Sequence, residues 1–175
     1  MKYDPNIHHR RSIRLKHFDY RQDGFYFITL CCKDNAHFLG EIIDDHMQLN
    51  EIGEIAQKCW YDIPNHFENV ELHEFVIMPN HIHFIIEIVG AKYFSPNDPN
   101  EFMVNRPKGT SQTIGSIVRG FKVGVTKWVR QHTQIHTLWQ RNYYEHIIRT
   151  EESYHKISDY IKYNPLNWRT DRFYS

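Results

Sequence analysis

Acidic residues are missing from one long part of this chain. Between Phe102 and Tyr144 there is neither Asp nor Glu, while Arg106, Lys108, Arg119, Lys122, Lys127, Arg130 and Arg141 all lie there. Lys2, Arg10, Arg11, Arg14, Lys16 and Arg21 stand near the N-terminus against Asp4 and Asp19, and the stretch from Glu41 to Glu74 is mainly acidic, so the formal net charge of zero conceals an asymmetry. A long acid-free stretch points to a polyanionic partner, nucleic acid first among them. Arg119, Lys122, Arg130 and Arg141 are the candidate phosphate contacts. Long apolar runs are absent too, which argues against a membrane span, and the polar, basic N-terminus does not read as a signal peptide. Cysteine is scarce: Cys31, Cys32 and Cys59 are odd in number and lack the paired spacing of a zinc knuckle or disulfide framework, so they read as reduced thiols of a cytoplasmic protein. No P-loop pattern occurs, so nothing suggests nucleotide-driven chemistry.

Eleven Tyr, eleven Phe and an aromatic content of 15% exclude a generally disordered chain, and 175 residues suit one compact domain over 1–175. Phe25 to Cys32 reads as a central strand, Ala36–Ile43 and His46–Leu49 as a hairpin turning at Asp44-Asp45. Asn50 caps a helix to about Phe67, distorted by Pro64, with Ile52, Ile55, Ala56, Cys59 and Trp60 on its buried stripe. Glu71 to Met78 is a second strand that turns at Pro79-Asn80 into a third. Residues 90–109, with three prolines and little periodicity, read as a mobile loop. A basic helix starts at Thr110 or Ser111 and runs to about Gln131, a strand lies within Leu138–Ile148, and Thr150 opens a last helix that stops near Pro165, followed by a tail over 166–175. The order strand, helix, strand, strand, helix, strand, helix predicts an α+β, ferredoxin-like antiparallel sheet with helices on one face and an extra C-terminal helix.

The third strand carries the chemistry. In His81-Ile82-His83-Phe84-Ile85-Ile86-Glu87-Ile88, side chains alternate faces, so His81 and His83 share one with Ile85 and Glu87, opposite a wholly apolar face. Two imidazoles roughly 7 Å apart at the backbone can converge on one metal ion. A pair of ordinary histidines on a wet strand face is the competing reading. On the last helix, Tyr160 and Asn164 are four residues apart and stack on one side. The Asn164 oxygen could complete a His-His-Asn site for Mg²⁺ or Mn²⁺, with the Tyr160 hydroxyl directed at whatever the ion polarises. A half-buried packing tyrosine and an Asn-Pro terminating signal would leave the same residues. Tyr163 is a poorer partner because it is next to Asn164 and diverges from it by about 100°. Glu87 is a reserve ligand or base; Tyr143, Tyr144 and Tyr154 read as packing or base-stacking groups, and His146 and Arg149 as DNA contacts or structural caps.

His81-Ile82-His83, the late Tyr160-x-x-x-Asn164-Pro165 and Trp139-Gln140-Arg141-Asn142-Tyr143-Tyr144-Glu145-His146 occur in a fixed order. This ordered set resembles the single-tyrosine HUH transposases of the IS200/IS605 type, above all the branch associated with repetitive extragenic palindromes, over a span from about Arg11 to Trp168. The resemblance implies a metal-dependent nuclease and strand transferase acting on single-stranded DNA with palindromic hairpins through a 5′-phosphotyrosine. It assigns His81, His83 and Asn164 to the metal and Tyr160 to the nucleophile, in a monomer or a homodimer. Better-known members of the superfamily use Gln where this chain has Asn164. A non-catalytic single-stranded nucleic-acid-binding module on the same fold, and a phosphohydrolase using water, are the alternatives.

Overall fold

Two elements of the chain are apolar on alternate residues, and they lie side by side at the centre. The computed structural model describes residues 23–89 and 113–174. The basic N-terminal segment, Arg106, Lys108, the helix start proposed at Thr110 or Ser111 and the loop at 90–109 fall outside them. Strand β1 (Gly24–Cys31) is followed by a 3₁₀ turn (Lys33–Asn35), the hairpin β2 (Gly40–Ile43) and β3 (His46–Leu49), helix α1 (Glu51–Tyr61), the short α2 (Ile63–His66), β4 (Val70–Ile77) and β5 (His81–Ile88). After these come α3 (Ile114–His132), β6 (Tyr144–Ile148), α4 (Glu151–Lys162) and a 3₁₀ turn (Trp168–Thr170). The main sheet runs in the order β4-β5-β1-β6, with the β4–β5, β5–β1 and β1–β6 pairings antiparallel, as the ferredoxin-like reading requires.

Alternation divides this sheet into two faces. Tyr26, Ile28 and Leu30 of β1 and Ile82, Phe84, Ile86 and Ile88 of β5 form one core with Ala56 and Trp60 of α1 and Ile117, Phe121, Val125 and Val129 of α3. Fully burying such side chains stabilises by about 1.5–3 kcal/mol each, and Trp60 stacks flat on Phe75 at 4.7 Å. The opposite face, with Phe25, Phe27 and Ile85, packs against Ile157 and Ile161 of α4. One face thus holds the larger core and the other is left for a site under a single helix.

Local signals explain the boundaries. Asn50 Oδ1 accepts the N–H groups of Ile52 and Gly53 at 3.0 Å while its amide donates to Phe38, fixing the start of α1. The helix breaks at Asp62, earlier than Phe67, because Pro64 cannot donate a backbone hydrogen bond. Asp44 and Asp45 have φ of +49° and +60°, the left-handed pair of a tight hairpin that acidic side chains tolerate. The first hairpin strand begins at Gly40 rather than Ala36, because just before it the Leu39 N–H is spent on the Pro79 carbonyl and the Leu39 carbonyl on the Asn50 N–H. Thr113 caps α3, its hydroxyl accepting the Ser116 N–H, and Thr150 caps α4 through the Ser153 N–H. Cys31, Cys32 and Cys59 are free thiols, and no helix among the described residues is long and apolar enough to cross a membrane.

Candidate active site

The turn Met78-Pro79-Asn80 delivers the chain into the middle of the sheet, where β5 has β4 on one side and β1 on the other. Its two histidines are therefore not on a wet face: His81 and His83 are both 0% exposed. Their rings stand 4.5 Å apart, centroid to centroid. Neighbours fix each ring. The Asn80 amide donates to the carbonyls of Asn35 and Phe173, which turns its Oδ1 toward His81 Nδ1 at 2.8 Å. A carbonyl oxygen only accepts, so Nδ1 carries the proton and Nε2 keeps a bare lone pair. Thr29, paired with His83 across β1 and β5, brings its hydroxyl to 2.8 Å from His83 Nδ1. Tyr160 approaches from α4, its hydroxyl 3.1 Å from His83 Nε2.

Helix α4 ends at Lys162, so Asn164 lies in the turn beyond it instead of on its last coil. Pro165 imposes this boundary by lacking an N–H and by disfavouring helical geometry in the residue before it. Asn164 nonetheless stays with Tyr160, because both donate to one acceptor: Asp171 Oδ2 takes the Tyr160 O–H at 3.1 Å and the Asn164 amide at 3.0 Å. The tail thus packs over the site. Asp171 Oδ1 accepts the Phe173 N–H, the Phe173 ring lies 4.5 Å from His81, and the buried Trp168 lies 6.0 Å from that imidazole.

Two buried acceptors lack hydrogen-bond partners here, His81 Nε2 and Asn164 Oδ1. Asn164 is close enough to act on the protonation of His81, yet no hydrogen bond joins those two atoms. Lone pairs held out of water without a proton cost free energy unless something cationic meets them. His81, His83 and Asp171 also offer ligand atoms within 4.8 Å of one another. The donor set of two imidazoles with amide and carboxylate oxygens therefore fits a divalent cation.

Electrostatics follow from burial. Desolvation is the main cause that brings His81 down to about 4, with Arg172 adding to it and Asp171 opposing. His83 lies well below the ordinary imidazole value through burial, then through His81 and Arg172. Both rings are neutral near pH 7, as metal ligation demands. The Tyr160 phenol is pushed up to about 12, by burial first and then by the charge and hydrogen bond of Asp171.

The structure brings together His81, His83, Asn164 and Tyr160 but leaves Glu87 out. Glu87 instead faces His73 and Glu71 at the far end of β5. Tyr163 points elsewhere, 45% exposed under the Lys162 ammonium. Arg119, Lys122, Arg130 and Arg141 all line one groove of about 660 Å³ along α3, joined by Lys127, Trp139 and Tyr143. Lys122 is braced there by donating to the Gln140 carbonyl at 2.6 Å. Asp171, Thr29 and Asn80 are site residues that sequence reasoning missed. Pairing β1 with β5 would have found Thr29; a lone Asp in an aperiodic tail carries no such signal.

Comparisons with known proteins bear on the fold. No family model matches the chain. An uncharacterized protein of Haemophilus influenzae is 54% identical over 99% of this chain and 97% of its own length. A second protein of that organism, provisionally named a REP-associated tyrosine transposase, is 24% identical over 85% of this chain and 73% of its own length. Among solved structures, a REP-associated tyrosine transposase bound to a REP hairpin superposes with a TM-score of 0.59 at 19% identity, covering 91% of this chain and 74% of that one. It shares the four-stranded sheet and the C-terminal helix.

Proposed function

We propose that this chain, which belongs to one family with the uncharacterized Haemophilus influenzae protein, is an IS200/IS605-like transposase that cuts and rejoins single-stranded DNA near palindromic hairpins, a reading supported by its fold and its distant sequence likeness. The observation that carries this reading is the Tyr160 hydroxyl 3.1 Å from His83, beside two buried acceptors without partners. Binding alone needs none of these groups.

His81, His83 and Asn164, with Asp171 as a further oxygen donor, would hold Mg²⁺ or Mn²⁺. Such an ion, when bound, neutralises a non-bridging phosphate oxygen and orients the phosphodiester. Tyr160 supplies the nucleophile. At neutral pH its phenol is protonated, and Asp171 Oδ2 is positioned to receive that proton as the oxygen moves to phosphorus. The new bond is Tyr160 O–P, the broken one P–O3′, and the departing 3′ oxygen gains a proton. A 5′-phosphotyrosine retains the phosphoester, so a DNA 3′-hydroxyl can reverse the step without nucleotide hydrolysis. Thr29 and Asn80 hold the imidazoles in place. The α3 groove, with five cationic side chains beside Trp139 and Tyr143, would take the phosphate backbone and unpaired bases. That Tyr160 meets His83 of its own chain supports a site completed within one monomer.

The test is incubation of the full chain with hairpin-bearing single-stranded DNA and Mn²⁺, resolved on a denaturing gel. Wild type should form a covalent protein–DNA adduct and Tyr160→Phe none. An equal adduct from both would overturn the assignment of the nucleophile, and cleavage without any adduct would point to water as the attacking group.

A further inference from the structure

The far end of the same sheet face holds a second constellation. Glu71 and Glu87 stand directly opposite each other in the β4–β5 ladder, an arrangement in which like charges are unfavourable. The register shifts between Leu72 and Phe75, a bulge of the kind that re-aims a side chain. His73 lies in that bulge, its Nε2 3.1 Å from Glu87 Oε2, and the ring is held edge-on by Phe25 at 5.1 Å. Ligand atoms of Glu71, His73 and Glu87 all lie within 4.8 Å of one another.

Proton accounting makes this more than a cluster of acids. Tyr154 of α4 donates its single hydroxyl proton to Glu74 Oε2 at 3.0 Å. The Tyr154 hydroxyl oxygen, its own proton spent on Glu74, is 2.9 Å from His73 Nδ1, so Nδ1 donates to it. Nε2 faces the Glu87 carboxylate at 3.1 Å, a contact that a ring proton closes as an ion pair and that a metal ion, in place of that proton, closes as ligation. Tyr154 and Glu74 do for His73 what the outer partners of metal-binding histidines do elsewhere: they hold a proton on Nδ1, which makes Nε2 the nitrogen available for coordination.

We propose that Glu71, His73 and Glu87 form a second divalent-cation site, for a first-row transition ion such as Mn²⁺ or Zn²⁺, on the same sheet face as the histidine pair. One imidazole with two carboxylates suits such ions better than Mg²⁺. Glu87 follows His83 by four residues on one strand, which separates the two sites by about 13 Å. An ion there ties β4 to β5 and, through Tyr154, to the helix that carries Tyr160. Its role is therefore to seat α4 on the sheet rather than to touch the reacting phosphate.

The full chain, stripped with EDTA, is titrated with Mn²⁺ and with Zn²⁺ by calorimetry. Wild type should bind two ions, and His81→Ala/His83→Ala should keep one. In that double variant, Glu87→Gln and His73→Ala should each abolish the remaining binding, and Tyr154→Phe should weaken it by about tenfold or more. Circular dichroism identifies any variant that fails to fold, and the isosteric Glu87→Gln stands in for His73→Ala in that event. Nitrogen shifts of His73 provide a second reading, with Nε2 unprotonated in the Zn²⁺ form. No ion in the double variant, or one indifferent to Glu87→Gln, would overturn the proposal, as would an Nε2 that stays protonated at saturating Zn²⁺. A single ion in wild type that persists in the double variant would support this site while counting against a metal at His81 and His83.

Discussion

Burial sets how the His81 imidazole responds to pH. Its folded value of about 4 lies below the roughly 6.5 of an unfolded histidine, so the unfolded chain takes up a proton first as pH falls. The stability carried by the neutral ring is present above about pH 6.5 and is lost on the way down to about pH 4, a total of roughly 3 kcal/mol, with His83 acting in the same direction. Thermal melts of the EDTA-treated protein should show Tm falling across that window, and His81→Gln should flatten the slope. Tyr160 offers a complementary test. Asp171 is the second cause, after burial, of its rise to about 12. Asp171→Asn should therefore lower the phenol's titration midpoint, measured by phenolate absorbance against a Tyr160→Phe reference. An unchanged midpoint would mean that the carboxylate does not act on that hydroxyl.

Helix α4 is the element on which the site depends, since it sits alone over its face of the sheet and carries Tyr160, the proposed nucleophile. The Thr150 hydroxyl holds its first turn by accepting the Ser153 N–H at 3.1 Å. Thr150→Ala should cost about 1 kcal/mol, visible as a lower denaturation midpoint, with slower adduct formation, and Thr150→Ser should restore both. That cap was legible in the sequence, as were the apolar alternation of β5 and the Asp44-Asp45 turn. Each is a short-range signal: a cap, a period or a pair of turn residues within a few positions. What escaped has a different origin. The bulge between Leu72 and Phe75, which takes Glu87 to His73 instead of to the histidine pair, depends on how two strands pair. Asp171 reaches Tyr160 only because the tail folds back after Pro165, guided by Trp168 and Phe173 packing on His81. Long-range contacts of aperiodic segments leave no local pattern to read.

At the scale of the whole molecule, a net charge of zero coexists with a strongly cationic groove on α3. Affinity for DNA should consequently fall steeply with salt even though the protein is neutral overall. Arg119→Ala and Lys127→Ala, both exposed on the groove, should each reduce the slope of log affinity against log salt by about one, measured by fluorescence anisotropy with a labelled hairpin. A slope unaffected by either change would remove the groove from the path of the nucleic acid. The site and the groove occupy opposite sides of one sheet, α4 covering the first and α3 the second.

Strand β5 joins these scales, being central, flanked on both sides and different on its two faces. A slip of one residue along either neighbour would invert it, driving two imidazoles and a carboxylate into the main core and turning Ile82, Phe84, Ile86 and Ile88 out toward α4. No misregistered form can therefore be both well packed and partly active. The ligation proposed for His81 and His83 would act as a proofreading signal for strand pairing, so loss of ion binding and loss of the native sheet should follow a single unfolding curve.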